Sequence, residues 1–537
     1  MNQANLVFYN GVIHTMDPLL PRAPAVAIAG NRVLALGDDA TMRRLLAPGG
    51  EAIDLRGRAV LPGFVDSHIH FVDYALRLRH IDLADVPTLD EALSRVAARA
   101  QETPPGEWLL GGGWNRNLWP GGAFPHRTDL DSVAPQHPVA LKSKDCHVIW
   151  LNSRALEGIG ITAQTPDPPG GEIERDATGE PTGIFKENAV KLVEEAIARP
   201  PMETLLSAVR EGMVHAHRAG LVGIHDCEDE YALSAFQLLH RQKALDLRVL
   251  MHIPVKNLEA AIQLGLRSGY GDEFLRIGGV KIFADGALGS RTAAMLEPYE
   301  DEPHNRGIVV TPPAELRHLI STAHQAGLSV AVHAIGDAAN RAVLDALQAV
   351  TQQSQRAPAP ALPHRIEHVQ LLHPADVPRL AQLGVVASMQ PLHATSDMEI
   401  AEAHWGARSR WSYAWRSLLQ AGTPLAFGSD CPVEPLEPLR GIHAAVTRRR
   451  PDGAPGEEGW YPEQRLTVAE AVRAYTRGAT YAAGQEDSTG SITPGKLADL
   501  VVLSRDIFAC DPMDILDTEV LATMVDGRFV YRAAALD

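Results

Sequence analysis

Two histidines separated by a single residue stand out in this chain. His68 and His70 end the segment LPGFVDSHIH, whose apolar stretch follows Pro62 and Gly63. Successive side chains alternate along a β-strand, so both imidazoles would project to the same side of it. Imidazole nitrogens are common ligands of transition metals. The spacing therefore predicts the first two ligands of a metal site, with two hydrogen-bonded core histidines as the alternative.

Further polar side chains lie within or directly after apolar segments later in the chain. They are Lys281, His333, His368 and Asp430. Burying such groups costs free energy unless they are paired or coordinate a metal. Each has an ordinary explanation by itself, such as a core hydrogen bond, an ion pair between Lys281 and Asp285, or a turn capped by Asp430. A single metal site explains all six positions together, and we predict that all six are ligands.

A second group of residues is predicted to contact a substrate. Its members are Arg291, His147, Trp114 and Gln390. Arg291 follows a glycine-rich turn and could bind a carboxylate or a polarised oxygen, with an ion pair inside its loop as the alternative. For the other three, the alternative is packing or capping. His225 and His252 also end predicted strands, and we interpret them as core residues or as residues behind the ligands.

Short apolar segments separated by helical patterns indicate how the predicted ligands are brought together. The predicted strands are residues 59–65, 221–225, 247–252, 277–283, 328–333, 365–368, 385–388 and 425–428, with helices such as 313–326 and 338–350 between them. Eight strands alternating with helices predict an α/β fold, a closed parallel (β/α)8 TIM barrel. The carboxyl ends of the strands meet at one mouth of such a barrel, which would gather the six ligands.

The two chain ends differ in pattern from the rest of the chain, because both contain short predicted strands separated by tight turns. Neither end is large enough for a stable sheet domain. We therefore predict one small β-sandwich built from residues 1–58 and 488–537, with the barrel in residues 59–487. Asn10 and Gly11 are a typical hairpin turn. Residues 71–218 are too long for a single connection, and we predict an insertion after the first barrel strand that lies over the barrel mouth.

Composition narrows the class of protein. The chain has 537 residues, 45% of them hydrophobic, and a formal net charge of −17, which argues against nonspecific binding to nucleic acid or to an anionic membrane. Its four cysteines form no C-x-x-C pair, which argues against a thiolate zinc site. Their scatter argues against a disulfide framework and favours a reducing compartment. No signal peptide or membrane-spanning apolar run is recognisable. The expectation is a cytoplasmic enzyme acting on a small molecule, with a homodimer as the default assembly.

These residues resemble the amidohydrolase superfamily over nearly the whole chain. The resemblance lies in the segment ending at His68 and His70, in the later Lys, His, His and Asp, and in residues 494–500 (PGKLADL). Residues 281–292 (KIFADGALGSRT), 333–337 (HAIGD) and 428–433 (GSDCPV) are similar to the amidohydrolase 3 branch, which includes N-substituted formamide deformylases.

The resemblance implies two divalent metal ions that are bridged by a carboxylated Lys281, and Zn²⁺ is the expected metal. A single ion is the alternative. His68, His70 and Asp430 would hold the more buried ion, and His333 and His368 the more exposed one. A metal-activated water would then hydrolyse a carbon–nitrogen bond other than a peptide bond, such as an amide, N-formyl, N-acyl or cyclic amide bond. Asp430 would be the general acid and base.

Other readings of the same residues stay open. The metal site could hydrolyse an ester, a lactone or a phosphoester, or it could deaminate a heterocycle. A different class is a catalytically silent, amidohydrolase-like structural or regulatory subunit, although the full ligand set in this chain weighs against it.

Overall fold

The computed structural model of the protein describes residues 3–197, 199–353 and 360–536. The chain forms two compact units. One consists of Met1–Phe71 and Arg210–Asp537, and the other of Val72–Val209. The first unit contains a parallel barrel and two sheets built from the chain ends, whereas the second unit has a sheet of its own.

Eight parallel strands form the barrel in the order in which they occur along the chain. They are β1 (Phe64–Ile69), β2 (Leu221–Asp226), β3 (Arg248–Pro254), β4 (Leu275–Phe283), β5 (Val330–Ala334), β6 (Arg365–His368), β7 (Val386–Met389) and β8 (Leu425–Phe427). Backbone hydrogen bonds also connect the first and last strands at their carboxyl ends. The Asp430 N–H, after β8, donates to the His68 carbonyl of β1 at 2.7 Å, and the His70 N–H donates to the Cys431 carbonyl at 2.9 Å. The predicted α/β barrel is therefore confirmed.

The first barrel strand differs from its prediction. Residues Ala59–Pro62 form a strand that pairs with Leu500–Leu503 in a sheet of the chain ends, and the barrel strand starts only at Phe64. Gly63 lies between the two strands. The position favours glycine because a Cβ there would lie 2.2 Å from the Val222 side chain. The apolar run looks continuous in sequence because both of its halves are buried, each in a different sheet.

The strands of the chain ends form two sheets. The four-stranded sheet contains Ala4–Tyr9, Ala25–Ala29, Arg32–Gly37 and Leu46–Asp54, and the six-stranded sheet contains Val12–His14, Arg22–Ala23, Ala59–Pro62, Leu500–Leu503, Val520–Val525 and Arg528–Arg532. Side chains of both sheets meet in one core that includes Phe8, Ile28, Val60 and Leu500. The predicted hairpin at Asn10 is wrong, because the strands before and after it pair in different sheets.

The second unit is built on a six-stranded mixed sheet. Its strands are Ile81–Asp82, Leu109–Trp114, Val139–Ser143, Val148–Leu151, Gly171–Arg175 and Pro181–Glu187. The unit lies within the predicted insertion, residues 71–218. The predicted position of that insertion over the barrel mouth stays a prediction.

Helices connect the barrel strands and cover the sheets. Those of the first unit are Asp39–Arg44, Glu230–Arg241, Leu258–Gln263, Pro313–Gln325, Asp337–Gln353, Val377–Gln382, Pro391–Trp405, Trp415–Gln420, Pro438–Thr447, Val468–Arg473 and Ala479–Ala482. Those of the second unit are Leu89–Glu102, Arg127–Val133, Ser153–Gly158 and Asn188–Ala196, while Phe71–Arg77 and Met202–Arg218 contain the boundaries between units. The helices predicted at 313–326 and 338–350 are confirmed. None of the helices described has the length and apolar character to cross a bilayer.

Candidate metal centre

The carboxyl ends of β1 and β8 bring three predicted ligands together. The Nε2 atoms of His68 and His70 lie 3.5 Å and 3.4 Å from Asp430 Oδ1. One ligand atom from each of the three residues lies within 4.8 Å of the others. Two imidazoles and a carboxylate are a common ligand set for a catalytic divalent cation. The geometry and the chemistry of these donors thus fit a metal ion.

The other three predicted ligands surround this group. Lys281 is buried in β4, with Nζ 3.4 Å from His68 Nε2. The ring of His368 lies 4.8 Å from that of His68 and 4.6 Å from that of His333, measured between centroids. His333 Nε2 donates to the Gly286 carbonyl at 2.9 Å, so its lone pair lies on Nδ1. All six side chains therefore gather at one end of the barrel.

His393 is a seventh residue of this cluster, and the sequence did not single it out. Its Nε2 atom lies 3.7 Å from Asp430 Oδ2. Ligand atoms of His368, His393 and Asp430 lie within 4.8 Å of one another, so Asp430 belongs to two groups of three. The sequence signal would have been a histidine three residues beyond Gln390, at the start of the helix that follows β7.

A buried ion pair in β6 orients His68 from behind. Glu367 Oε2 lies 2.5 Å from His68 Nδ1, so Nδ1 donates its hydrogen and Nε2 keeps its lone pair toward the cluster. Arg365 donates to both Glu367 oxygens, at 2.6 Å and 3.1 Å. It also donates to His225 Nδ1 at 2.8 Å and to Ser388 Oγ at 2.6 Å. His225 thus lies behind the ligands, as the sequence suggested.

Asp66 fixes the position of the loop that carries Asp430. It accepts hydrogen bonds from the His68 N–H at 3.0 Å, the Ser429 N–H at 3.0 Å and the Ser429 hydroxyl at 2.5 Å. A side chain at Gly428 would collide with this network, because its Cβ would lie 2.5 Å from Asp66 Oδ1. Burial raises the pKa of Asp66 to about 7, although these hydrogen bonds oppose the rise.

Two residues of the cluster have left-handed backbone conformations. The φ angle is 73° at His368 and 59° at Asp430. Such conformations are uncommon for residues other than glycine, and they concentrate at functional sites where the surrounding structure enforces them. His368 is the last residue of β6 and Asp430 lies in the loop after β8, so both stand where the chain leaves a barrel strand.

The electrostatics of the cluster favour the protonation states that bind metal. Burial, followed by nearby Lys281, lowers the pKa of His68 to about 4. Burial and the neighbouring His333 lower the pKa of His368 well below its usual range. Burial opposes ionisation of Asp430, but the hydrogen bond from His70 holds its pKa well below the usual range. Neutral imidazoles and an ionised carboxylate are the ligand forms.

Two predicted substrate contacts of the first unit have protein partners. Gln390 is buried, and its Oε1 accepts from His368 Nδ1 at 2.9 Å. It therefore orients a predicted ligand. Arg291 forms ion pairs with Asp301 at 2.8 Å and Glu302 at 2.9 Å, which matches the loop ion pair considered as its alternative.

The other two predicted substrate contacts belong to the second unit. Trp114 is a core residue there: its indole packs against Trp119 and Trp150, is 1% exposed, and donates to the Leu141 carbonyl at 2.8 Å. The packing alternative thus describes Trp114. His147 is partly exposed, with Nδ1 2.8 Å from Glu187 Oε2, and its contact with substrate stays a prediction.

Comparison with known proteins shows which family this chain belongs to. Residues 51–531 match the model of the Amidohydrolase family. The chain belongs to that family. Among relatives of this amidohydrolase, the protein LONG AFTER FAR-RED 3 from Arabidopsis thaliana is 35% identical over 98% of this chain and 92% of its own. N-substituted formamide deformylase from Arthrobacter pascens is 31% identical over 98% of both chains.

A solved structure extends the similarity to three dimensions. An uncharacterized metal-dependent hydrolase from Pyrococcus horikoshii is 29% identical to this amidohydrolase. It covers 94% of this chain and 99% of its own, with a TM-score of 0.78. The resemblance expected from the motifs is therefore confirmed at the level of family and fold.

Proposed function

We propose that this amidohydrolase is a metal-dependent hydrolase that cleaves a carbon–nitrogen bond of a small molecule, of the amide, N-formyl or N-acyl kind. The observation that carries the proposal is the meeting of His68, His70 and Asp430 at the carboxyl ends of β1 and β8, with ligand atoms within 4.8 Å of one another. Active sites of (β/α)8 enzymes lie at this end of the barrel.

The proposed cofactor is Zn²⁺, with two ions as the expected number. His68, His70 and Asp430 would hold one ion, while His368 and His333 would contribute to the second. When bound, a divalent cation supplies Lewis acidity, which polarises a carbonyl oxygen and lowers the pKa of water. Lys281 lies beside His68 and is the proposed bridging residue in its carboxylated form, because an ammonium repels a cation and a carbamate attracts it.

Asp430 is the proposed general acid and base. It is ionised at neutral pH for the reasons given above, and its two oxygens face different imidazoles of the cluster. It can therefore accept a proton from the attacking water and deliver that proton to the departing nitrogen. Glu367 and Gln390 contribute by holding His68 and His368 in position.

Support for the bond class comes from one relative. The deformylase from Arthrobacter pascens matches this chain from end to end at 31% identity, and its name describes cleavage of an N-substituted formamide. Ester, lactone or phosphoester hydrolysis and heterocycle deamination use the same kind of metal centre, so they are the competing outcomes of the test. A catalytically silent subunit is the competing outcome of a different class.

The test is a substrate panel offered to protein reconstituted with Zn²⁺ or Mn²⁺. The panel contains N-formyl amines, N-acyl amines, cyclic amides, lactones, a phosphoester and aminated heterocycles. We expect turnover of a formamide or amide. Turnover confined to lactones, phosphoesters or heterocycles would contradict the bond class. No turnover by protein with verified metal content would favour the silent subunit.

Asp430→Asn tests the general base, with metal content measured alongside turnover. Asp514→Asn is the matched control, because Asp514 is about half exposed and contacts Arg505 at 3.8 Å. We expect Asp430→Asn to lower turnover by at least about 10²-fold, the scale of general acid–base catalysis. Full activity of the Asn variant with metal bound would remove this role from Asp430.

A further inference from the structure

We propose that His393 is a metal ligand of this site, in addition to the six residues expected from the motifs. The inference rests on the proposed function in one respect, namely that a divalent cation binds at the barrel mouth. It adds a residue from the helix after β7, a part of the barrel that supplied no ligand in the sequence-based set.

The helix that carries His393 explains how its imidazole reaches the mouth. The helix Pro391–Trp405 begins directly after β7 and has a proline at its first position, where the fixed φ of proline suits a helix start. Side chains on an α-helix tilt toward its N-terminus. The N-terminus here lies at the carboxyl end of β7, so the side chain of His393 is directed back toward the ends of the barrel strands.

The buried environment of His393 leaves one nitrogen without a protein hydrogen bond. His393 is 6% exposed, and its Nε2 has no hydrogen-bond partner among the described residues. A buried polar atom without a partner costs about 1–3 kcal/mol, so most such atoms have one. Asp430 Oδ2 lies 3.7 Å from this nitrogen. A cation held between the two would account for the unpaired nitrogen.

The other nitrogen of His393 contacts a side chain that can set the tautomer. Gln370 is buried, and its Nε2 lies 3.2 Å from His393 Nδ1, while its Oε1 has no hydrogen-bond partner among the described residues. An amide can present either its oxygen or its NH2 group at such a contact. With the oxygen toward His393, Nδ1 carries the hydrogen and Nε2 carries the lone pair. This is the usual arrangement of a metal-bound histidine and its outer hydrogen-bond partner.

The ligand atoms of His393, His368 and Asp430 form a second compact group beside that of His68, His70 and Asp430. Among the described residues, the atoms that could hold an ion within 4.8 Å of one another include His368, His393 and Asp430, but not His333. The rings of His368 and His393 are nearly parallel, 16° apart, with centroids separated by 6.1 Å. Asp430 Oδ2 lies 3.7 Å from His393 Nε2 and 4.0 Å from His368 Nδ1, the nitrogen that also donates to Gln390.

The test measures cation binding directly. Metal-free full-length protein is titrated with Zn²⁺ against a chromophoric chelator, and its Co²⁺ form is examined by visible absorption. The variants are His393→Ala and, in case that variant fails to fold, His393→Gln. His318→Ala is the matched control, because it removes an exposed histidine from the outer helix Pro313–Gln325.

We expect His393→Ala to weaken at least one class of Zn²⁺ sites by about 10-fold or more, since even the loss of an outer partner of a metal ligand costs about 10–100-fold in affinity. Its Co²⁺ spectrum would change, whereas His318→Ala would match the parent in both measurements. A His393 variant with the parent's affinity and spectrum would overturn the proposal. If that variant also lost turnover, His393 would instead contact the substrate.

Gln370→Glu tests the tautomer. A carboxylate can only accept the hydrogen of Nδ1, so the ligand role predicts Zn²⁺ affinity equal to or above that of the parent. A loss of Zn²⁺ affinity in Gln370→Glu would contradict the proposed arrangement. Because these experiments read cation binding, they keep their meaning even if no compound in the substrate panel is hydrolysed.

Discussion

Neutralising Glu367 should damage both the stability of the barrel and its affinity for metal. Glu367 is 0% exposed, and its two oxygens contact the Arg365 guanidinium and His68 Nδ1. Burial opposes its ionisation, but Arg365 and then His68 hold the pKa of Glu367 well below its usual range. Glu367→Gln would keep the shape of the side chain and remove the charge, leaving Arg365 as an uncompensated cation in the barrel interior.

The expected losses of stability and of metal affinity follow from the contacts of Glu367 with Arg365 and His68. Removing one partner of a buried ion pair costs about 3–5 kcal/mol, because the remaining charge stays desolvated. Loss of the outer partner of a histidine ligand costs about 10–100-fold in metal affinity, equivalent to about 1.4–2.7 kcal/mol. Replacing both charges, as in Arg365→Met with Glu367→Gln, should cost less than the sum of the single changes, since no unpaired charge remains.

The assay combines denaturant unfolding of the metal-free protein with Zn²⁺ titration. Glu297→Gln is the control, because Glu297 is 74% exposed and its ion pair with Arg306 lies at the surface. Such a pair contributes at most about 1 kcal/mol. If Glu367→Gln unfolded within about 0.5 kcal/mol of the parent, the range of an ordinary surface substitution, and bound Zn²⁺ as tightly, the reasoning about this network would be refuted.

Three further predictions concern Lys281, Asp499 and Gly428. Lys281→Ala should lower Zn²⁺ affinity by at least about 10-fold, measured by chelator competition, and unchanged affinity would contradict its place among the ligands. Asp499→Ala should lower the free energy of unfolding by about 3–5 kcal/mol, because it breaks a buried pair with Arg248 at 2.6 Å, while Zn²⁺ affinity per folded molecule stays at the parent's value. Gly428→Ala should lower stability by about 1–3 kcal/mol, since its Cβ would lie 2.5 Å from a carboxylate oxygen. Gly158→Ala, where a Cβ meets nothing within 4 Å, should leave the unfolding midpoint unchanged or raise it.

The wrong predictions share a cause, which is that a sequence pattern does not say which sheet a strand joins. Residues 59–65 form one apolar run that predicts a single barrel strand, yet Ala59–Pro62 pairs with the chain end and the barrel strand is Phe64–Ile69. Asn10 likewise has the local chemistry of a hairpin turn, but the strands on either side of it pair in different sheets. Both outcomes depend on pairing with residues far away in sequence.

For the site, local spacing and residue type identified His68, His70 and Asp430, because strand alternation and position after an apolar strand are properties of short segments. Those patterns did not reveal His393 or Glu367. His393 lies on a helix, where its direction depends on how the helix follows β7. Glu367 has its role only because Arg365 and His68 lie beside it in the closed barrel.

The amino-acid sequence by itself determined the class of fold, the family and the kinds of donor atoms available, since these follow from periodicity and from local motifs. The tertiary structure alone decided which donor atoms lie within 4.8 Å of one another and which side chains stand behind them. Distances of 3–4 Å between residues hundreds of positions apart arise from closure of the barrel, and no local pattern encodes them.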